Sequence, residues 1–210
     1  MGLPDHRLFI KPHFAPAGLS PLPWNQREEK AVYVGRLYEA KGVHVLLKAW
    51  KLWGNAAPRL EIIGDGPLMQ NLRCFVEEES LSEKVSFRGV LSSEETHALL
   101  SSAKLLIVPS LCPEGFPMVV AEAFALGVPI AASRIGSLQT LVDDRVTGIL
   151  FEPGNEIDMQ QKTAIAWTQA ERWGESARRV AVERYSADRN HERLMSIYEE
   201  ARSTNAALSA

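Results

Sequence analysis

The chain has 210 residues, of which 46% are hydrophobic and 23% charged, so it can bury the core of one α/β domain of generous size. Its net charge of −3 at pH 7 gives no overall positive field that would attract nucleic acid. No apolar run approaches the length of a membrane span, and Cys74 and Cys112 lack a metal-ligand spacing. We therefore expect a cytoplasmic protein that binds no nucleic acid, and a membrane-peripheral location of a longer protein stays open.

The first thirty residues are predicted to form an interdomain linker or N-terminal extension. Residues 8–10 could form a short strand, but prolines at positions 12, 16, 21 and 23 then keep the chain extended. At the other end, residues 203–210 are small and polar and are predicted to form a disordered tail. Residues 31–202 remain as the folded domain.

Within this domain, apolar strand-like runs alternate with helical patterns. The predicted strands are 31–35, 60–64, 85–89, 105–109, 128–133 and 148–151, and the helix-like segments between them are 42–53, 67–79, 93–102, 117–126 and 137–143. Beyond residue 153 only helices are predicted, at 156–169, 172–184 and 188–202. Because the strands are short and almost wholly apolar, they are typical of a parallel sheet covered on both faces. The pattern predicts a Rossmann-like, doubly wound α/β domain of about six strands followed by C-terminal helices.

Two glutamates mark a candidate ligand site. Glu114 lies in a Pro/Gly loop after the predicted strand 105–109, and Glu122 is the only charge in the apolar segment 117–126. A carboxylate buried in such a helix is costly unless hydrogen bonds satisfy it. The order of strand, carboxylate loop, proline and helix predicts a site at the carboxyl edge of the sheet.

Other segments fall at the same edge. Arg36 and Lys41 bracket one strand-to-helix turn, so both cations can face one anion, although two solvated surface charges are the commoner explanation of such a pair. Gly64-Asp65-Gly66-Pro67 is a tight turn into a helix. Because Met69 stands where a dinucleotide fingerprint needs its last glycine, an NAD-dependent dehydrogenase is disfavoured.

Taken together, these groups fit a nucleoside diphosphate sugar. The stretch Gly115-Phe116-Pro117-Met118-Val119 would expose backbone amides at a helix N-terminus, which is a natural phosphate site. Arg36 and Lys41 would add positive charge. The two carboxylates would accept hydrogen bonds from the hydroxyls of a ribose and a sugar.

The same segments resemble a known family. In chain order they are Val34-Gly35-Arg36-Leu37 with Lys41-Gly42, Gly64-Asp65-Gly66-Pro67, Val85-Ser86-Phe87-Arg88-Gly89, Pro109-Ser110, Glu114-Gly115-Phe116-Pro117 and Glu122-Ala123. Over roughly residues 31–200, their order and spacing are similar to those of the retaining glycosyltransferases of family 4, also called group 1, which have the GT-B fold. The chain resembles the C-terminal, donor-binding domain of such enzymes, and the paired glutamates are the most specific part of the match.

The resemblance implies a role for each candidate residue. Arg36 and Lys41 would bind the donor diphosphate, and Glu114 would hold hydroxyls of the transferred sugar; these three form the expected catalytic set. Glu122 would bind the ribose. The remaining donor contacts are expected from Gly35, from the backbone of Arg88, Gly89 and Val90 at the nucleobase, and from Gly115, Phe116, Pro117, Met118 and Val119 around the sugar and phosphate. The resemblance implies neither a metal nor a cofactor, because the cations would stabilise the leaving diphosphate of a retaining hexosyl transfer.

Some positions depart from the family pattern or lack a predicted role. Family members often carry a glutamate where this chain has Thr140, so the contribution of that position is in doubt. Cys112, in the donor loop, is predicted to be a buried, inert thiol. His44 and His97 lie in helical patterns, where a surface or packing role is expected.

The resemblance also implies a partner domain. GT-B enzymes use two Rossmann-like domains, and the segment around residues 8–14 is similar to the connection between them. We therefore expect an N-terminal acceptor-binding domain outside this sequence, a glycan, lipid-linked or small-molecule acceptor, and a chain that binds donor but transfers no sugar alone. A non-catalytic nucleotide-sugar-binding subunit or sensor and a GT-B-like sugar-nucleotide epimerase stay open, whereas a phosphorylase lacks a segment suited to its pyridoxal lysine. The base, sugar, acceptor and linkage stay undecided.

Overall fold

A computed structural model describes residue 9 and residues 11–208, with side chains described up to residue 203. It contains six strands: β1 (Lys30–Val34), β2 (Arg59–Ile63), β3 (Val85–Gly89), β4 (Leu105–Val108), β5 (Ile130–Ser133) and β6 (Gly148–Phe151). All neighbouring strands pair in parallel, in the order β3-β2-β1-β4-β5-β6. The six predicted strands are thus confirmed, while the possible strand at 8–10 lies outside the described residues apart from Phe9, which is in no strand.

Seven α-helices are found in the described part of the chain. They are α1 (Val43–Trp53), α2 (Met69–Glu78), α3 (Ser93–Ser102), α4 (Met118–Ala125), α5 (Leu138–Leu141), α6 (Glu156–Arg184) and α7 (Ala187–Leu208). One core lies under α1, α2 and much of α6. The other lies under α3, α4, α5 and the last turns of α6. Helices therefore cover both faces of the sheet, which confirms the doubly wound architecture.

Side-chain alternation on the strands builds the two cores. On β1, Ala31 and Tyr33 face one core and Val32 faces the other. Strands β4, β5 and β6 are buried along their whole length, because they lie in the half of the sheet that is covered on both faces. This double burial explains why their sequences are continuous apolar runs rather than alternating ones.

Two helix boundaries differ from the sequence-based expectation. The predicted helices 156–169 and 172–184 are one helix of 29 residues, α6. Residues 170 and 171 are Ala and Glu, strong helix formers that give no reason for a break. Gly174 lies inside α6 where a side chain would clash, because an added Cβ would lie 2.4 Å from the Gly127 carbonyl oxygen. Likewise α7 extends to Leu208, so most of the predicted tail is helical, since no glycine or proline interrupts it.

The topology leaves a crevice where the strand order reverses. From β1 the chain proceeds outward through β2 and β3, then returns to place β4 on the other side of β1. The loops that follow β1 and β4 consequently leave the sheet in opposite directions. Ligands of open α/β sheets bind at such a switch point, outside the carboxyl ends of the strands.

At the opposite edge, Arg27 fastens the N-terminal segment to the domain. Its buried guanidinium donates hydrogen bonds to the carbonyl oxygens of Leu22, Ala103 (3.1 Å) and Leu126 (2.7 Å). Burial lowers the pKa of Arg27 to about 10, which leaves it charged at neutral pH. Backbone hydrogen bonds from Ala15 to Tyr185 and from Glu28 to Ser102 also hold this N-terminal segment on the domain. Whether the segment links the domain to another domain stays a prediction.

Replacing Arg27 with methionine should destabilise the fold. The Arg27→Met variant keeps an apolar stem but loses charged hydrogen bonds to three carbonyl groups, which should lower the free energy of unfolding by about 3 kcal/mol. Urea denaturation measures this loss. As a control, Arg59→Met removes an arginine whose side chain is 61% exposed and should cost less than about 1 kcal/mol. Equal losses for the two variants would contradict this role of Arg27.

Candidate functional site

The loops after β1 and β4 are joined across the crevice. The Leu111 N–H donates a 2.8 Å hydrogen bond to the Ala40 carbonyl. Gly42, at the start of α1, has a φ of +70° and lies so close to Pro109 that an added Cβ would be 1.9 Å from its carbonyl oxygen. Only glycine fits this contact. The contact places Lys41 beside the loop that contains Glu114.

Lys41 and Glu114 form an ion pair in this crevice. The Lys41 Nζ donates to Glu114 Oε2 at 2.7 Å, although the residues are 73 positions apart in sequence. The buried Ser110 hydroxyl donates to Oε1 of the same carboxylate. The side chains of Lys41 and Glu114 are 25% and 16% exposed, so the pair is partly desolvated and both charges remain accessible to a ligand.

Arg36 occupies the same edge but is not part of this pair. Its side chain is exposed, and its guanidinium lies 5.3 Å from the centre of the Tyr38 ring. Its backbone carbonyl accepts a 2.9 Å hydrogen bond from the hydroxyl of Tyr33. Burial, and secondarily the charge of Glu114, raises the pKa of Tyr33, so this hydroxyl remains a donor. The buried tyrosine thereby anchors the Gly35-Arg36 turn from beneath.

Glu122 is half-buried on α4. Its side chain is 19% exposed, so it is less deeply buried than its apolar surroundings in the sequence suggest. The Nε2 atom of His97, on α3, lies 3.6 Å from Glu122 Oε1, and the His97 side chain is also 19% exposed. The prediction of a surface or packing role for His97 therefore omitted its proximity to a carboxylate. No sequence pattern indicated its neighbour, because the packing of α3 on α4 is not encoded in local spacing.

The predicted nucleobase segment also lies at this edge. The Gly89 carbonyl accepts a 2.7 Å hydrogen bond from Gly64 N–H, and the Val90 side chain is 77% exposed. The Arg88 guanidinium donates to Glu61 Oε1 at 2.8 Å, and this hydrogen bond raises the pKa of Arg88. The Arg88 side chain is therefore paired with Glu61 on the sheet, and the predicted nucleobase contact of this residue is one from its backbone.

The predicted sugar and phosphate segment leads into α4. An added Cβ at Gly115 would meet no atom within 4 Å, which leaves open space above the loop. The Phe116 ring packs edge-on against His13 and Tyr185, with centroids 5.5 and 5.7 Å away. Pro117 is the N-cap of α4, and the first N–H groups of a helix, here at Met118 and Val119, have no acceptor within it.

Two positions that departed from the family pattern have local explanations. Cys112 is exposed, so the expectation of a buried thiol was wrong. It lies beside the exposed Pro113 in the loop between β4 and α4. The Thr140 hydroxyl donates a 2.9 Å hydrogen bond to the Ser137 carbonyl, a bond within its own short helix. Among the described residues, neither side chain forms a hydrogen bond with Lys41 or Glu114.

The other features of the described residues do not involve Lys41 or Glu114. A cavity of about 210 Å³ is lined by Trp24, Arg27 and Gly174 at the amino edge of the sheet. Another, of about 300 Å³, is lined by His44, Lys48 and Phe75 between α1 and α2. Within the described ranges, no group of three or more His, Cys, Asp or Glu side chains could hold a metal ion. Nor is any described helix long and apolar enough to cross a membrane.

Comparison with known proteins identifies the family. Residues 19–199 match the model described as Glycosyl transferases group 1. The chain belongs to this family. The predicted resemblance to group 1 glycosyltransferases is therefore confirmed, whereas the retaining mechanism and each residue's role stay predictions.

Relatives of this group 1 domain are longer proteins. It is 34% identical to an uncharacterized glycosyltransferase of Methanocaldococcus jannaschii over 131 residues, covering 62% of this chain and 36% of the relative. It is 30% identical to the putative colanic acid biosynthesis glycosyltransferase WcaL of Escherichia coli over 171 residues, covering 78% and 40%. The chain thus spans less than half the length of these curated relatives.

A solved structure shows the same fold. The crystal structure of Anabaena HepE in complex with UDP and glucose superposes with a TM-score of 0.73, covering 93% of this chain and 55% of HepE at 21% identity. At this identity the likeness concerns the fold alone. The Rossmann-like, doubly wound fold predicted from sequence is therefore confirmed.

The close approach at Gly42 predicts a stability effect. Gly42→Ala combines a left-handed backbone with a clash against the Pro109 carbonyl and should lower the free energy of unfolding by about 2 kcal/mol or more. Gly18→Ala is a matched control, because Gly18 also has a positive φ of 84° but open space around an added Cβ; it should cost about 1 kcal/mol. Urea denaturation compares them, and equal costs would contradict the proposed contact.

Proposed function

We propose that this chain is the donor-binding domain of a retaining glycosyltransferase that transfers a hexose from a nucleoside diphosphate sugar to an acceptor hydroxyl. The observation that carries this proposal is the Lys41–Glu114 pair at the switch point of the sheet. A lysine and a carboxylate held side by side suit a ligand whose anionic and hydroxyl-bearing parts are adjacent. Family membership and the UDP and glucose bound by HepE support the same ligand class.

In this proposal the cations bind the diphosphate. Lys41 lies beside the loop that leads into α4, and Arg36 extends from the preceding turn. The backbone of Gly35 lets the diphosphate approach this turn, and the N–H groups of Met118 and Val119 face the same anion. These donors stabilise the negative charge that develops on the diphosphate as the sugar leaves. Positive side chains thus perform the neutralisation, so we propose a metal-independent reaction.

The carboxylates bind hydroxyl groups. Glu114 accepts hydrogen bonds from the transferred sugar, while Gly115, Phe116 and Pro117 close around it. Glu122, further along α4, accepts from the ribose. The backbone of Arg88, Gly89 and Val90 contacts the nucleobase. The donor would thereby extend along the carboxyl edge, with its sugar near the β4 loop and its base near the end of β3.

The acceptor is bound by another domain in this proposal. Curated relatives are more than twice as long as the portion that this chain matches, and a second, N-terminal domain would hold a glycan, lipid-linked or small-molecule acceptor. By itself the chain would bind donor without transferring sugar. A longer protein that bound donor but transferred nothing would favour the non-catalytic subunit instead. We also propose a cytoplasmic location, since Cys74 and Cys112 are free thiols.

Nucleotide binding should raise the thermal stability of the chain. UDP, GDP, ADP and dTDP, with their sugars, are tested separately, and a ligand at about 100 times its Kd adds roughly 2.7 kcal/mol. For a domain of this size the unfolding midpoint rises by about 5–10 °C. The Arg36→Ala/Lys41→Ala variant should lose this rise because it lacks both diphosphate cations.

The matched control is Arg172→Ala/Arg179→Ala, which makes the same change in charge at two exposed positions of α6. This variant should keep the rise of the wild type. A rise that survives in Arg36→Ala/Lys41→Ala would contradict the proposed diphosphate site. The absence of a rise with all of these ligands would contradict the proposed function itself.

The Lys41–Glu114 pair should make the chain discriminate between a nucleotide and its sugar conjugate. A bare nucleoside diphosphate draws Lys41 toward the phosphates and leaves the half-buried Glu114 without its cation, whereas a sugar conjugate supplies hydroxyl donors. Glu114→Gln frees Lys41, so affinity for the bare nucleotide should stay equal or rise and the preference for the conjugate should fall toward one.

Isothermal titration calorimetry measures both dissociation constants and hence their ratio. Glu171→Gln, at an exposed position of α6, serves as the control and should keep the wild-type ratio. An unchanged ratio in Glu114→Gln would show that this carboxylate does not bind the sugar.

A further inference from the structure

We propose that His97 is a positioning residue for Glu122 and thereby strengthens recognition of the ribose hydroxyls. This inference rests on the proposed function, because it assigns a partner to the carboxylate that would bind the ribose. It begins with the 3.6 Å separation of His97 Nε2 and Glu122 Oε1, two atoms on different helices. Both side chains are equally shielded, with 19% of each exposed.

The carboxylate of Glu122 needs a partner from outside its own helix. Its neighbours Ala121, Ala123 and Phe124 are fully buried and offer no side-chain donor. Within the described part of the chain, the His97 imidazole is the basic side chain that lies within 4 Å of the Glu122 carboxylate. A half-buried carboxylate left without any donor would carry a desolvation cost. His97 is therefore the group that can fix where this carboxylate points.

The distance between His97 Nε2 and Glu122 Oε1 allows the carboxylate to adjust when a ligand binds. At 3.6 Å the atoms are farther apart than in a hydrogen bond, for which about 2.7–3.2 Å is normal. A movement of less than about 1 Å would bring them to hydrogen-bond distance. With the imidazole N–H donating to Oε1, the other oxygen, Oε2, is free to accept from a ribose hydroxyl.

His97 lies on a well-anchored element. α3 starts with a capping box in which the Ser92 hydroxyl accepts from Glu95 N–H at 3.2 Å and the Glu95 carboxylate accepts from Ser92 N–H at 2.9 Å. Thr96 and Leu100, on either side of His97 in the sequence, are buried. The imidazole thus belongs to a helix whose start and inner face are fixed. If His97 already holds the Glu122 carboxylate in place, less side-chain entropy is lost when the ligand binds, and the affinity is higher.

The test is a cycle of protein variants and ligand variants. The probes are UDP, GDP, ADP and dTDP, each compared by calorimetry with its 2′,3′-dideoxy counterpart. This counterpart lacks both ribose hydroxyls of UDP, GDP and ADP, and the single 3′-hydroxyl of dTDP. In the wild type, affinity should fall on removal of these hydroxyls. His97→Ala should lower the affinity for the parent nucleotide on the order of three- to tenfold, which corresponds to the loss of one hydrogen bond. The affinity for the dideoxy form should change less than about twofold.

Conservative variants separate positioning from packing. In His97→Gln, the amide nitrogen can take the place of Nε2 and donate to Glu122, so most of the hydroxyl preference should return. His97→Phe fills the same space without a donor and should behave like His97→Ala. His191→Gln changes an exposed histidine on α7 and should match the wild type. Circular dichroism checks that each variant keeps the helical content of the wild type.

The outcomes distinguish this inference from the proposed function. Equal weakening of parent and dideoxy nucleotides in His97→Ala, or no weakening of either, would overturn the positioning role while leaving the donor site intact. A wild type that bound none of the four parent nucleotides would overturn the proposed function, and this inference with it. Recovery by His97→Phe but not by His97→Gln would assign His97 to packing.

Discussion

A partly desolvated carboxylate is the constraint on which the crevice depends. Shielding the Glu114 carboxylate from water without a partner would cost free energy. Hydrogen bonds from Lys41, in the loop after β1, and from Ser110, in its own loop, offset this cost. The ion pair therefore joins two loops that leave the sheet in opposite directions. The Gly42–Pro109 contact brings their backbones close enough for the pair to form. The ion pair and the backbone contact thus both connect the two loops at the switch point of the sheet.

The rest of the fold supports this place from a distance. The continuous burial of β4, β5 and β6 fixes the strand ends from which the Glu114 loop departs. Tyr33 supports the turn that carries Arg36. At the amino edge, Arg27 connects residues that precede β1, β4 and β5. A sheet that is fixed at both edges in this way can hold the residues of an open ligand site in place.

The sequence predicts the fold and the position of the site better than its contacts. Short apolar strands alternating with helices specify the doubly wound sheet, and Glu122 attracts notice as a lone charge in an apolar helix. Pairing of Lys41 with Glu114, 73 positions away, depends on tertiary packing, as does the approach of His97 to Glu122. The continuity of α6, by contrast, is favoured by local propensity at the predicted break, because Ala170 and Glu171 are strong helix formers.

Nucleotide binding at the carboxyl edge of the sheet can be mapped by the amide chemical shifts of the ¹⁵N-labelled chain. Titration with UDP, GDP, ADP and dTDP should perturb amides in the segments 35–42, 88–91 and 110–122. Amides around Trp24 and Arg27, which line a cavity at the opposite edge, should stay unchanged. Perturbation centred on that cavity, or no perturbation with any of the four nucleotides, would contradict nucleotide binding at the carboxyl edge.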